Sequence, residues 1–219
     1  MTPLNTTATQ IIEEIKSLLG DRINKSGVAF YSSIDTVKKG RYMILGLNPG
    51  GNPEVEKGTI GQSLEGFLSP VYNHYYEAWK EKDTRLQINI AKLFAFLGQD
   101  LRNVCALNLI FERTVRESDL NFSSLPVYVK VLNKVLDVVQ PDVIFTFGKK
   151  PLFEVKRVMT NINVEVIGSG HGSWKIEFVT GQLNDRTVRV IGFPHLSIYT
   201  LYNRPEKLEA VRIFAANRL

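Results

Sequence analysis

Cysteine is nearly missing from this 219-residue chain, where Cys105 stands alone. A lone thiol closes no intrachain disulfide, and four-cysteine zinc or iron–sulfur sites are excluded. No apolar run approaches the roughly 18 residues that a membrane-spanning helix requires, so no membrane partner is expected. Histidine is scarce too: His74, His171 and His195 are the only three. The start of the chain, Met1-Thr-Pro-Leu-Asn-Thr-Thr, has neither the basic nor the apolar region of a secretory signal, so an intracellular, cytoplasmic location is expected. There is no internal repeat, low-complexity tract or long Pro/Gly/Ser linker, which predicts one continuous domain over residues 1–219. A Gly-x-Ser-x-Gly elbow, a Walker loop and the spaced dinucleotide fingerprint are also missing.

What is present is the balance of a globular protein: 44% apolar and 22% charged residues. Lys and Arg number 27 against 22 Asp and Glu, a net charge of +5. A basic excess favours nucleic acid or another polyanion as partner, although a solvated mixed surface gives the same arithmetic.

Helical spacing of Ile11, Ile12, Ile15, Leu18 and Leu19 predicts a helix ending at Gly20. The run from Val28 to Tyr31 reads as a strand or an extended lead-in. Arg41–Gly46 is a short buried strand broken by Leu47-Asn-Pro-Gly-Gly. A polar loop to about Ser63 leads to helices over Leu64–Lys82, with a break at Pro70, and Arg85–Leu97. Buried strands follow at Asn103–Ile110 and Val143–Gly148, with a helix at Ser124–Val139 between them. A helix near Pro151–Met159, a strand candidate at Val164–Ile167, a hairpin of Trp174–Thr180 with Thr187–Ile191, and a closing helix at Pro205–Asn217 complete the pattern. Short apolar strands alternating with helices predict an α/β domain, a three-layer sandwich with a central, mainly parallel four-stranded sheet. Asn48, Asn108, Gly148 and His195 then fall at the C-terminal ends of strand runs, the edge where open parallel sheets bind ligands.

Three of these places carry unusual chemistry. Gly46-Leu-Asn-Pro-Gly-Gly combines glycines that admit a close ligand, a proline that fixes the turn, and an amide that both donates and accepts. A plain strand-ending turn would have the same composition. Asn108 lies in the apolar run Ala106-Leu-Asn-Leu-Ile, where a buried amide must find hydrogen-bond partners; these belong to a planar base edge or to a neighbouring loop. Gly192-Phe-Pro-His-Leu-Ser puts His195 and Ser197 on a loop directly after a strand.

In this order the three features resemble the uracil-DNA glycosylase superfamily, over roughly Met43 to Tyr202. The Gly46-Leu-Asn-Pro-Gly turn resembles the family's first motif in its Asn-containing form, that of the single-strand-selective monofunctional and mismatch-specific branches. His195-Leu-Ser resembles the His-Pro-Ser loop, with Leu196 in place of the proline. Ala106-Leu-Asn resembles the strand-ending Asn run between them. Gly50 stands where the best-known branch has a tyrosine.

The resemblance implies a monofunctional DNA glycosylase that hydrolyses the N-glycosidic bond of uracil, or of a related deaminated or 5-substituted base, in base excision repair. Asn48 would hold the attacking water, and His195 would stabilise charge on the leaving base. Asn108 would read the base edge, with Gly46, Leu47, Pro49, Gly50 and Ser197 around it and Phe67 stacking on it. Single- or double-stranded DNA is the implied partner. Arg204, Lys207, Gly170 and His171 would be contacts to it, and Tyr199 or Leu201 a wedge into the gap left by the base. The resemblance calls for no metal or organic cofactor, and a monomer is expected. The alternative is a non-catalytic nucleic-acid or nucleotide-binding module with the same fold.

Overall fold

The computed structural model describes residues 6–68 and 84–216. Helix α1 (Thr6–Leu19) precedes strand β1 (Tyr42–Gly46) and helix α2 (Ile60–Phe67). After α3 (Arg85–Phe96) come β2 (Cys105–Asn108), α4 (Leu125–Val139), β3 (Val143–Phe147) and α5 (Lys149–Arg157). Strands β4 (Thr160–Gly168), β5 (Lys175–Leu183) and β6 (Arg186–Phe193) then lead to α6 (Pro205–Ala216). Among the described residues, no helix is long and apolar enough to cross a membrane.

The sheet has six strands in the order β2-β1-β3-β6-β5-β4. Strands β2, β1, β3 and β6 run parallel, while β5 and β4 are antiparallel. This corrects the expected four-stranded sheet. Four parallel strands exist, but the fourth is β6, and the stretch around Val164–Ile167 belongs to an antiparallel edge. Connection length explains the difference. Asn184 and Asp185 both take positive φ, 49° and 59°, which suits the tight turn of a β5–β6 hairpin. A parallel strand would need a crossover of a dozen residues or more.

Pleating sends alternate side chains of each central strand to opposite faces. Met43, Leu45, Leu107, Ile144 and Val190 face one core, covered by α1, α2, α4 and α5. Ile44, Ala106, Phe145, Ile191 and Phe193 face the other, covered by α3 and α6. Helix α4 shows why the helices sit where they do: Leu125, Tyr128, Leu132, Val135, Leu136 and Val139 form its buried stripe. Gln140 in the left-handed region (φ 46°) and then Pro141 end it. Helix α2 starts at Ile60, earlier than expected, because Thr59 and Gln62 form a reciprocal cap. Most of the helix expected up to Lys82, with Pro70 and His74, lies outside the described residues.

The Val28–Tyr31 run is the extended lead-in rather than a strand of the sheet. It lies antiparallel along the outer side of β2 through isolated bridges at Gly27–Glu112 and Phe30–Leu107. Val28 N–H donates to Phe111 O (3.0 Å), Asn108 N–H to Ala29 O (3.0 Å) and Tyr31 N–H to Ala106 O (2.8 Å). An open edge beside the ligand end of β2 is thereby covered. The approach is so close that a Cβ on Gly27 would stand 2.0 Å from Phe111 O. Gly27→Ala is expected to destabilise the fold by about 1–3 kcal/mol through overpacking. The measurement is the urea midpoint at constant slope; an unchanged midpoint would mean the lead-in is detached in solution.

Candidate active site

At the C-terminal ends of β1, β2 and β6 the strands open into a cleft of about 770 Å³, inside the range of roughly 300–1,000 Å³ usual for small-molecule sites. Gly46, Leu47, Asn48, Pro49, Gly50, Asn108, His195 and Ser197 all line it. Residues from three separate strand ends thus meet in one place. Chain topology alone does this: β1 and β2 are paired neighbours, and β6 joins them across β3.

Asn48 is half-buried just past β1. Its Nδ2 donates to Pro49 O (3.0 Å) and Thr114 Oγ1 (3.0 Å), with Glu112 O at 3.4 Å. Thr114 gives its own hydroxyl proton to Arg116 O, so it can only accept from Asn48. Three acceptors around one terminal atom require that atom to be the nitrogen. Oδ1 remains as the hydrogen-bond acceptor that this residue can offer to a ligand or water.

The turn that carries Asn48 is braced by an ion pair. Arg113 Nη1 lies 2.7 Å from Glu56 Oε2 and donates to Gly50 O at 2.5 Å. Gly51 has φ +112°, and a Cβ there would come within 2.1 Å of Glu56 Oε1. The positive φ favours glycine, and any Cβ would also displace the flexible Glu56 carboxylate.

Asn108 closes β2 and is buried. Its Nδ2 donates to Val28 O at 3.1 Å, and the Tyr31 hydroxyl hydrogen-bonds the same side chain. Burial pushes the Tyr31 phenol upward; Asn108 and the Arg113 charge oppose this, and Glu56 adds to it. Gly46 pairs with Asn108 in the parallel register, and a Cβ on Gly46 would stand 2.9 Å from Asn108 Oδ1. The glycine is what lets the amide oxygen sit beside β1. The amide nitrogen is not wholly available to a base, because one hydrogen is committed to the backbone.

His195 sits in a tight turn. Ile198 and Tyr199 N–H both donate to His195 O, at 3.1 and 3.0 Å. Its Nδ1 accepts the Ser197 backbone N–H (3.3 Å) and faces Ser197 Oγ at 2.7 Å. A ring nitrogen that accepts an amide proton carries none itself, so the neutral ring bears its proton on Nε2. Burial depresses the His195 pKa below the ordinary histidine value, with Glu117 acting weakly the other way. The result is a neutral imidazole with one N–H to donate. Leu196, where the resemblance has proline, is fully buried in the second core, and its side chain anchors the turn.

The expected DNA contacts lie beside the cleft rather than on its lining. Tyr199 and Leu201 are buried at 0% and 3% exposure. This corrects their expected role as wedges, because a side chain that fills the core cannot also enter a base stack. Ile198 and Tyr202 are the exposed apolar residues of this loop. Arg204 donates to Thr200 O and to Gly170 O (3.2 Å), and its guanidinium stacks 5.2 Å from the Tyr199 ring. These donors tie backbone segments together. In the turn that carries Gly170 and His171, Ser169 N–H is committed to Trp174 O and His171 N–H to Ser169 Oγ. Gly170 there takes φ +77°, and the His171 ring packs on Trp174 at 4.6 Å. Lys207 lies on α6. Phe67 ends α2, and its side chain lies outside the described residues.

Sequence reasoning missed Tyr31, Glu56 and Asn89. Only Asn89 carried a readable signal, an amide on the apolar stripe of a helix beside Leu86, Ile90 and Leu93. The other two act through loops whose spatial neighbours are distant in sequence. Among the described residues no cluster of three or more His, Cys, Asp or Glu could hold a metal ion. Cys105 is buried, and burial pushes its thiol up to about 12, which makes it inert at neutral pH.

Set against known proteins, the chain matches no family model and no curated sequence.

NMR titration of the His195 ring is expected to give a pKa below the ordinary value of about 6.5 and the Nε2–H tautomer. Because the folded pKa lies below the unfolded one, the unfolded chain binds the proton first. The contribution of His195 to stability is therefore complete above the unfolded value and is lost as pH falls through the window below it. A midpoint at or above the ordinary value would contradict the half-buried, neutral ring.

Proposed function

We propose that this cleft hydrolyses the N-glycosidic bond of uracil, or of a related deaminated or 5-substituted base, in DNA, as a monofunctional glycosylase of base excision repair. One observation carries the reading. Asn48, Asn108 and His195 come from three strand ends to one cleft, and the hydrogen-bond polarity of Asn48 and His195 is already fixed: Asn48 offers an acceptor and His195 a donor. The order of motifs along the sequence adds support, as does the net charge of +5, because phosphate contacts supply most non-specific DNA affinity.

The base leaves as an anion with charge on O2. A neutral imidazole that donates from Nε2 stabilises that oxygen as charge develops. As the C1′–N1 bond breaks the sugar becomes electron-poor at C1′, and a water held by Asn48 Oδ1 attacks it and gives its proton to the departed base anion or to solvent. The amide orients the water and the leaving base draws the electrons, so no strong base is needed. Asn108 Oδ1 accepts the N3–H of uracil, which cytosine lacks. Gly50 leaves open space, with no heavy atom within 4 Å of a Cβ built there, so substituents at C5 meet no side chain at this position. Ile198, exposed on the His195 loop, is the residue placed to fill the gap left by a flipped base.

The rival reading is a nucleic-acid or nucleotide-binding module without excision, and one observation favours it: the Asn108 amide nitrogen is already committed to Val28 O. Oligonucleotides with one uracil, single- and double-stranded, separate the two after alkaline cleavage. The expected result is strand cleavage by the wild type and a loss of about 10²–10³ in rate for His195→Ala, the usual cost of removing one such donor, with DNA binding nearly unchanged. Asn108→Asp, which loses the donor to Val28 O, is expected to weaken the preference for uracil over cytosine. Binding without cleavage of uracil, 5-substituted uracils or deaminated purines would favour the module.

A further inference from the structure

We propose that Asn89, on α3, is a positioning residue for His195: it holds the backbone of the 196–199 turn and so fixes the direction in which the imidazole enters the cleft. The inference rests on the reading of His195 as the donor to the leaving base.

Asn89 is buried, at 4% exposure. Its Nδ2 donates to Leu196 O (2.6 Å) and to Tyr199 O (3.1 Å), carbonyls that belong to the residue after His195 and to the residue that closes its turn. Both amide hydrogens are therefore used on one short loop. The Oδ1 atom is buried without a partner. A buried, unsatisfied carbonyl is costly, and the compensation on its other side is the pair of bonds to the turn. Its helix neighbours Ile90 and Leu93 are buried and apolar, and what sets the amide at position 89 apart is the two loop carbonyls it pairs.

Asn89 does not act alone. Arg85, one helical turn earlier, donates to Thr200 Oγ1 at 2.7 and 3.2 Å. Lys92 stacks its ammonium 3.9 Å above the Tyr202 ring. Positions 85, 89 and 92 share one helix face, and that face grips the segment from Leu196 to Tyr202. The same helix supplies Leu86, Gln87 and Ile90 to the cleft wall. One rigid element therefore sets both the wall and the donor loop. Proline at position 196 would restrict such a turn by its own ring. Here Leu196 gives no such restriction, and side-chain bonds from α3 take its place.

The test uses the full chain with Asn89→Leu, which keeps the branched outline, is larger and removes both donors, and Asn89→Ser, which keeps one short donor. Thermal melting identifies the variants that remain folded; should Asn89→Leu fail to fold, Asn89→Ser decides by the same readouts. In a folded variant the NMR titration of His195 is expected to move up toward the ordinary histidine range, and the Nδ1–H tautomer to appear. On the single-uracil oligonucleotide, kcat is expected to fall by about 10–100-fold with KM within about twofold, as for a misplaced catalytic group, and Asn89→Ser to lie between Asn89→Leu and wild type. A folded variant whose His195 tautomer and titration match wild type would overturn the proposal. The NMR arm needs no substrate, so the two readings fail separately. If the wild type excises no base while the variants still disturb the His195 ring, the glycosylase reading falls and the positioning role stands.

Discussion

Gly46 lies opposite Asn108 in the parallel pairing of β1 with β2, and the rest of the cleft depends on that register. It puts the end of a strand without a side chain against the end of a strand with a buried amide. The amide oxygen then fits where any Cβ would collide. Shift the pairing by one residue and Asn108 turns to the other face of the sheet, away from Asn48. The covering lead-in holds this register from outside. Asn108 is bonded to it by its backbone N–H to Ala29 O, by its side chain to Val28 O and by a side-chain hydrogen bond with Tyr31.

The polar groups of the cleft share a physical logic. Each is held by backbone carbonyls or amides rather than by other charges. Pro49 and Glu112 carbonyls orient Asn48, Val28 orients Asn108, and the Ser197 amide sets the His195 tautomer. Backbone groups move little, so the directions of the remaining acceptor and donor are set before a ligand arrives. Such fixed dipoles favour a developing charge without reorganising. An ion pair on the lining, Arg113 with Glu56, supports the glycine turn.

Much of this architecture is legible from the chain. The apolar runs within Arg41–Gly46, Asn103–Ile110 and Val143–Gly148 read as buried strands, and their alternation with helices pointed to a mainly parallel sheet with their polar ends at one edge. Asn48, Asn108 and His195 were readable because each breaks an apolar pattern at such an end. The β4 strand was misplaced because periodicity reports that a segment is extended and says nothing of which neighbour it joins. Tyr199 and Leu201 were misread for a similar reason: an apolar residue on a loop looks the same in sequence whether it reaches water or the core. Tyr31 and Glu56 escaped notice because their partners are distant in the chain, and no local pattern marks such a meeting.

The β4–β5 hairpin has a mechanical meaning that its edge position conceals. Ser169 directly follows β4, and its carbonyl accepts the Tyr199 hydroxyl at 2.8 Å. The turn that holds His195 is thus moored on one side to α3 and on the other to the end of the outermost strand. Edge strands open more readily than central ones, since fewer contacts hold them, and such local openings are visible in hydrogen exchange. Fraying that begins at solvent-exposed β4 travels along one covalent strand to that mooring. The far edge of the sheet is thus tied to the His195 turn by a hydrogen bond, and an opening that reached Ser169 would release that mooring.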